Sequence, residues 1–122
     1  MSLVDLLGEP STQAGPVLRR RERESLRSDW SRATVQSLIP SGADARMEAR
    51  LISLDTKGRT GTSTATGREL AFCVRGSVAL TVGEERFSLS EGDSVCYDAS
   101  RPSHWENPNK RRAEILLVLV RG

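Results

Sequence analysis

The sequence predicts an all-β domain, a sandwich or small barrel, and three observations carry that expectation. Short runs rich in β-branched and aliphatic residues recur from residue 33 onward: ATVQSLI, RMEARLISL, LAFCVRG, SVALTV, RFSLS, DSVCYD and AEILLVLV. Each has the length and composition of a strand. The segments between them, SGAD, TKGRTGTSTATG, GEE, EGD and ENPNKR, supply Gly, Asn, Asp or Pro where tight turns need them. No segment after Pro40 sustains a 3.6-residue apolar period. Closely spaced antiparallel strands hide their edges by closing on themselves.

In chain order, residues 1–15 read as a linker. LVDLL (3–7) has the character of the last turn of a helix, and Gly8, Pro10, Ser11 and Gly15 then break any regular element. The domain proper is expected over residues 16–122, and a chain of 122 residues holds one such domain. From Val17 to Arg32, six arginines alternate with Glu22, Glu24 and Asp29, which reads as a solvated, self-paired surface or as a phosphate-contacting patch. The strands follow.

Composition narrows the function. With 37% hydrophobic and 28% charged residues the chain has an ordinary globular balance. A net charge of +2 and 4% aromatic residues argue against direct nucleic-acid binding. No apolar run approaches the roughly 20 residues of a membrane helix, and MSLVDLLGEP lacks the layout of a signal peptide, so a cytoplasmic location without membrane contact is expected. Cys73 and Cys96 are too few for a disulfide framework and sit in apolar runs, as buried reduced thiols do. The single histidine, His104, means that no site of two or three imidazoles can form within one chain.

Between Gly58 and Asn107 the spacing of particular residues becomes informative. Glu69 is followed after LAFCVR by Gly76, then by the hairpin SVALTVGEERFSL; GDSVCYDASRPSHWENP places Gly92 and Asn107 at the ends of a second spaced motif. This pattern resembles the cupin superfamily, specifically the small single-domain cupins found behind a helix-turn-helix in XRE-type bacterial transcriptional regulators. The resemblance implies a double-stranded β-helix, a small jelly-roll barrel, from about Ala33 to Val120. It departs from the family at the metal ligands. Counting back four residues from Glu69, the two family histidine positions fall on Thr62 and Thr64; the three-residue spacing puts them on Ser63 and Ala65. The histidine position of the second motif is Ser103, with His104 one residue late.

A cupin metal site needs three imidazoles and a carboxylate converging inside the barrel, and of these the sequence keeps Glu69. Because side chains alternate across a strand, an inward Ser103 turns His104 outward. No metal and no other cofactor is expected. Alternation makes Glu69, Ala71 and Cys73 inward on one strand and Ser103 and Trp105 on another, with Thr62 and Thr64 adding hydroxyls. An interior holding Glu69 must be partly polar. The candidate ligand-binding set is therefore Thr62, Thr64, Glu69, Cys73, Ser103 and Trp105.

The resemblance implies a non-enzymatic module that binds a small-molecule effector of unknown identity and forms a homodimer. Any DNA contact would come through an N-terminal domain absent from this chain, of which residues 1–15 would be the remnant. A small metal-dependent cupin enzyme, a dioxygenase or isomerase, is the alternative, and a dimerisation scaffold with a filled barrel is a third reading.

Overall fold

A computed structural model describes residues 17–40 and 46–121; the linker expected over residues 1–15 lies outside the described residues. After one 3-10 turn (Arg20–Glu22) come nine strands: β1 (Ser25–Ser28), β2 (Ala33–Ser37), β3 (Met47–Leu54), β4 (Arg68–Arg75), β5 (Ser77–Val82), β6 (Glu85–Ser90), β7 (Ser94–Asp98), β8 (Ser103–Glu106) and β9 (Ala113–Val120). Among the described residues there is no α-helix. A six-stranded sheet in the order β1-β2-β3-β9-β4-β7 faces a three-stranded sheet in the order β6-β5-β8, and every pairing is antiparallel. The all-β jelly roll expected from the sequence is the observed fold.

All seven apolar runs became strands, and two strands arose outside them. β1 comes from the arginine-rich segment and pairs with β2 from Ser25↔Gln36 to Ser28↔Ala33. Its Arg27 bonds Asp29 at 2.9 Å and Asp55 at 2.8 Å. The solvated, self-paired reading of this segment thus holds for Arg27, on an edge strand whose charges discourage further pairing. β8 is only SHWE, bounded by Pro102 and Asn107-Pro108, yet it buries Ser103 and Trp105 and turns His104 the other way.

The core forms where the inner faces of the sheets meet. β9 alternates buried and half-buried residues along most of its length, the period-2 signature of a strand with one face on the core. Leu54, Ala71, Cys73, Leu80, Ala113 and Ile115 are completely buried. Burying each Leu or Ile side chain stabilises by roughly 1.5–3 kcal/mol. The two motif glycines turn corners: Gly76 at φ 76° and Gly92 at φ 92° lie in the left-handed region that side chains avoid. At Gly76 a Cβ would also stand 3.0 Å from the Arg112 carbonyl oxygen.

Asn107, the last residue of the second motif, is 1% exposed and serves as an internal clamp. Its Nδ2 donates to the carbonyls of Leu54 (3.1 Å), Asp55 (3.2 Å) and Arg111 (2.7 Å), while its Oδ1 accepts from the Asn109 amide at 3.0 Å. The end of β3 and the β8–β9 connection are thereby fixed to each other.

Candidate functional site

The site lies between the sheets, towards the ends of β3, β4 and β9 that carry Glu48, Glu69 and Leu119. β9 provides an apolar floor, Leu117 and Leu119. On one side Glu69 of β4 pairs with Leu119, and Tyr97 of β7 pairs with Glu69. On the other side β3 sets Glu48 beside Leu119 and Arg50 beside Leu117. β8 contributes the opposite wall, Ser103 and Trp105. Together these residues line a cavity of about 290 Å³.

The long glycine- and threonine-rich segment after β3 closes the cavity by running beside β8. Thr60 accepts from the Trp105 amide at its Oγ1 and donates its own amide to the Trp105 carbonyl, both at 2.9 Å. Ser63 and Ser103 exchange amide-to-carbonyl bonds at 3.0 Å each, and the Ala65 amide donates to Ala99 at 2.9 Å. Trp105 is thereby held by backbone as well as packing, and is 3% exposed.

Charge in the cavity is arranged in two groups. Burial pushes the Glu69 carboxyl above the ordinary carboxylate range; the Tyr97 hydroxyl beside it and the Arg50 charge pull it back, and Glu48 pushes it up. The Tyr97 phenol is pushed well up, first by its own burial and then by the Glu69 charge, with opposing hydrogen bonds from Ser103 and Trp105, so it remains a neutral donor. Opposite, Glu48 bridges two guanidinium groups: Arg50 at 2.5 Å and Arg121 at 2.9 Å.

Of the residues singled out from the sequence, Thr64, Glu69, Ser103 and Trp105 line this cavity. Two do not. Thr62 is exposed and outside the lining; Ser63 and Ala65 line it instead, so the three-residue spacing describes this segment better than the four-residue one. Cys73 is inward and completely buried as alternation required, but it sits four residues along β4 from Glu69, in the packed core. Its Sγ approaches the carbonyls of Arg75 at 3.7 Å and Gly76 at 3.4 Å, and burial pushes the thiol up, the reverse of what a nucleophile needs. Cys96, expected to be buried, is exposed, because β7 turns Val95 and Tyr97 inward.

The sequence reading missed Tyr97, Arg50, Glu48 and Arg121. The signal for Tyr97 was period-2 alternation within DSVCYDA, which puts Val95, Tyr97 and Ala99 on one face. For β3 the same rule puts Glu48, Arg50, Ile52 and Leu54 on the inner face.

The metal centre of the cupin fold does not fit these residues. Among the described residues no group of three or more His, Cys, Asp or Glu side chains could hold a metal ion. His104 Nε2 lies 2.9 Å from Glu106 Oε1, on the side of β8 opposite Ser103 and Trp105, and hydroxyls occupy the inward positions.

Among solved structures the chain is similar to the cupin domain of an XRE family transcriptional regulator from Enterobacter cloacae (14% identity, TM-score 0.69, 75% of this chain and 98% of that one). It is also similar to an HTH_3 family transcriptional regulator from Vibrio cholerae (18%, 0.65, covering 75% and 52%), so it spans about half the length of that protein. A predicted oxalate decarboxylase from Thermotoga maritima superposes at 17% identity and a TM-score of 0.74, covering 88% of this chain and all of that one. No curated protein matches the sequence. The Cupin domain family model matches residues 51–119, more than half the chain, and with the two-sheet barrel and its motif glycines this places the protein in the cupin family.

Proposed function

We propose that this cupin domain is the small-molecule effector-binding and dimerisation part of a bacterial transcriptional regulator, and that it binds without catalysing a reaction. The observation that carries this reading is the cavity itself. A barrel packed shut along much of its length keeps an open volume at the place where enzymatic cupins bind metal, and lines it with hydroxyls, two carboxylates, two guanidinium groups, a phenol and an indole. Such a set recognises a ligand through hydrogen bonds and apolar contact, while it offers neither an activated nucleophile nor an imidazole base. The likeness to regulator cupins supports the biological setting; the likeness to a predicted decarboxylase favours the enzymatic alternative only at the level of fold. DNA would be contacted by a separate N-terminal domain, and the ligand would act through the geometry of a dimer. Support for a second copy as partner comes from the outer face of β4, where Leu70, Phe72 and Val74 stay exposed, an apolar row flanked by Arg68 and suited to an isologous two-fold contact.

A thermal-shift screen of metabolites tests the reading. A ligand at a hundred times its Kd stabilises by about 2.7 kcal/mol, and Glu69→Gln and Trp105→Ala should reduce that stabilisation. Hits that neither substitution weakens would move the site out of the barrel, and turnover of a hit by the domain would overturn the non-enzymatic reading. Sedimentation at micromolar concentration should find a dimer; a monomer at every concentration would remove that part.

A further inference from the structure

The two charge groups of the cavity are separated by the width of one strand. Glu69 and Glu48 flank Leu119 from opposite sides of β9, and Arg50 flanks Leu117 on the Glu48 side. Two strand spacings put the β3 and β4 backbones ~10 Å apart, and their long side chains reach inward from there. One wall ends in a carboxylate and a phenol, Glu69 and Tyr97. The other ends in Arg50, held by Glu48, which also holds Arg121. Between them lie an apolar floor, Leu117 and Leu119, and the buried Trp105 opposite.

This lining is neutral as a sum, with Glu48 and Glu69 against Arg50 and Arg121, yet polarised as an arrangement. A monovalent ligand would complement one wall and face the other with like charge or with nothing. An ammonium would suit the Glu69 end, since a cation gains charge-assisted hydrogen bonds from a carboxylate. A carboxylate would suit Arg50: a guanidinium has five N–H donors in a planar fork, and the contact to Glu48 engages only its Nη2. The 290 Å³ volume is at the low end of ligand cavities, roughly 300–1,000 Å³, which restricts the ligand to a small metabolite.

Resting on the effector-binding reading above, we infer that the cavity takes a small zwitterion, an amino acid in the broad sense, with its ammonium group against Glu69 and Tyr97 and its carboxylate against Arg50. Its apolar body lies between Trp105 and the two leucines. Binding therefore depends on both charges of the ligand at once, and removing either should cost affinity.

Isothermal titration at neutral pH with matched probes tests this. One set is leucine, 3-methylbutylamine and 4-methylpentanoate; the other is 4-aminobutyrate, butylamine and butyrate. In at least one set the zwitterion should bind tenfold or more tighter than either half. Arg50→Gln should bring the zwitterion down to the level of its amine, Arg50→Lys should retain a measurable part of the preference, and Glu69→Gln should bring it down to the level of its acid. A single cooperative melting transition of each variant without ligand checks the fold. An amine that binds as tightly as its zwitterion, or a preference that survives Arg50→Gln, overturns the inference. If neutral sugars or polyols bind in a Glu69-dependent way and the zwitterions do not, the inference fails while effector binding stands. If nothing in the wider metabolite screen binds, both fail.

Discussion

The two ends of the barrel are made from the same three strands and differ in what those strands turn inward. β3 presents Glu48 and Arg50 at one end and Ile52 and Leu54 at the other. β4 presents Glu69, then Ala71 and Cys73; β9 presents Leu119 and Leu117, then Ile115 and Ala113. At the second end Leu54, Cys73, Ala113 and Ile115 are completely buried; at the first, Glu69 is only half-buried and the Arg50 side chain is half exposed. Because the strands are continuous, the closed end holds the register of the open one, where a one-residue slip would turn Glu69 out and Leu70 in. Stability and the proposed recognition are thus assigned to different lengths of the same strands, and a change at one end should leave the other largely intact.

The largest expected effect tests that separation directly. Ile115→Ala removes a buried side chain from the closed end and should cost about 2–5 kcal/mol, because the surrounding strands cannot collapse into the hole. Leu119→Ala, on the floor of the cavity, enlarges a space that already exists and should cost less. Urea denaturation measures both; a lower midpoint with an unchanged slope marks a stability change. Equal losses at the two positions would break the comparison.

Asn107 anchors the closed end by other means. Asn107→Ala removes the bond to the buried Leu54 carbonyl as well as the half-buried bonds to Arg111 and Asn109, and a buried group left unpaired costs ~1–3 kcal/mol. Asn107→Asp should be no milder, since it sets a carboxylate against three carbonyl oxygens. Chemical denaturation checks both variants, and ligand affinity measured below their unfolding transition should change little.

A smaller effect belongs to the open end. The Glu69 carboxyl is raised above its ordinary 4.5 mainly by burial, so between the unfolded and the folded values the folded state holds a proton that the unfolded chain has released. The corresponding stability is fully present below the unfolded value and is lost as pH rises through the raised folded value. Glu69→Gln removes that dependence, so the wild type should lose stability relative to the variant as pH rises across this window. Paired melting curves at stepped pH measure the difference; a constant offset would mean that Glu69 keeps its ordinary affinity for protons in the fold.

Most of the architecture was legible because strand signals are local. Alternation along β4 and β8 correctly turned in Glu69, Ser103 and Trp105, since a strand with one face on the core cannot change that alternation without a bulge. What was hidden depended on strand neighbours. Tyr97 meets Glu69 only because β7 pairs with β4, and Glu48 meets Arg121 only because the chain returns beside β3 after β9; no single segment contains those facts. Arg50 escaped for a different reason: an arginine at an inward position reads as surface until its glutamate partner is placed. Thr62 was misplaced because two spacings fit the family motif and the segment has no alternation of its own to choose between them.

The smallest effect lies on the outer face of the wall that carries Trp105. Glu106, half-buried on β8, is held below its ordinary 4.5, first by its hydrogen bond with His104 and then by the Arg86 charge. Here the sign is opposite to that of Glu69: the stabilisation is present above the unfolded value and is lost as pH falls through the lowered folded value. His104→Ala should therefore cost little near neutral pH, less than about 1 kcal/mol for a pair so close to solvent, and its deficit should vanish in acid. Glu69→Gln alters the profile above 4.5 and His104→Ala alters it below, so two carboxylates on different sheets, one lining the cavity and one on the outer face of β8, can be read separately from one set of melting curves. Ligand affinity should not change in His104→Ala, because its ring lies outside the cavity lining. A His104→Ala variant that lost ligand binding would mean that the outer surface of β8 is coupled to the site, and the separation between the cavity and its supporting wall would fail there.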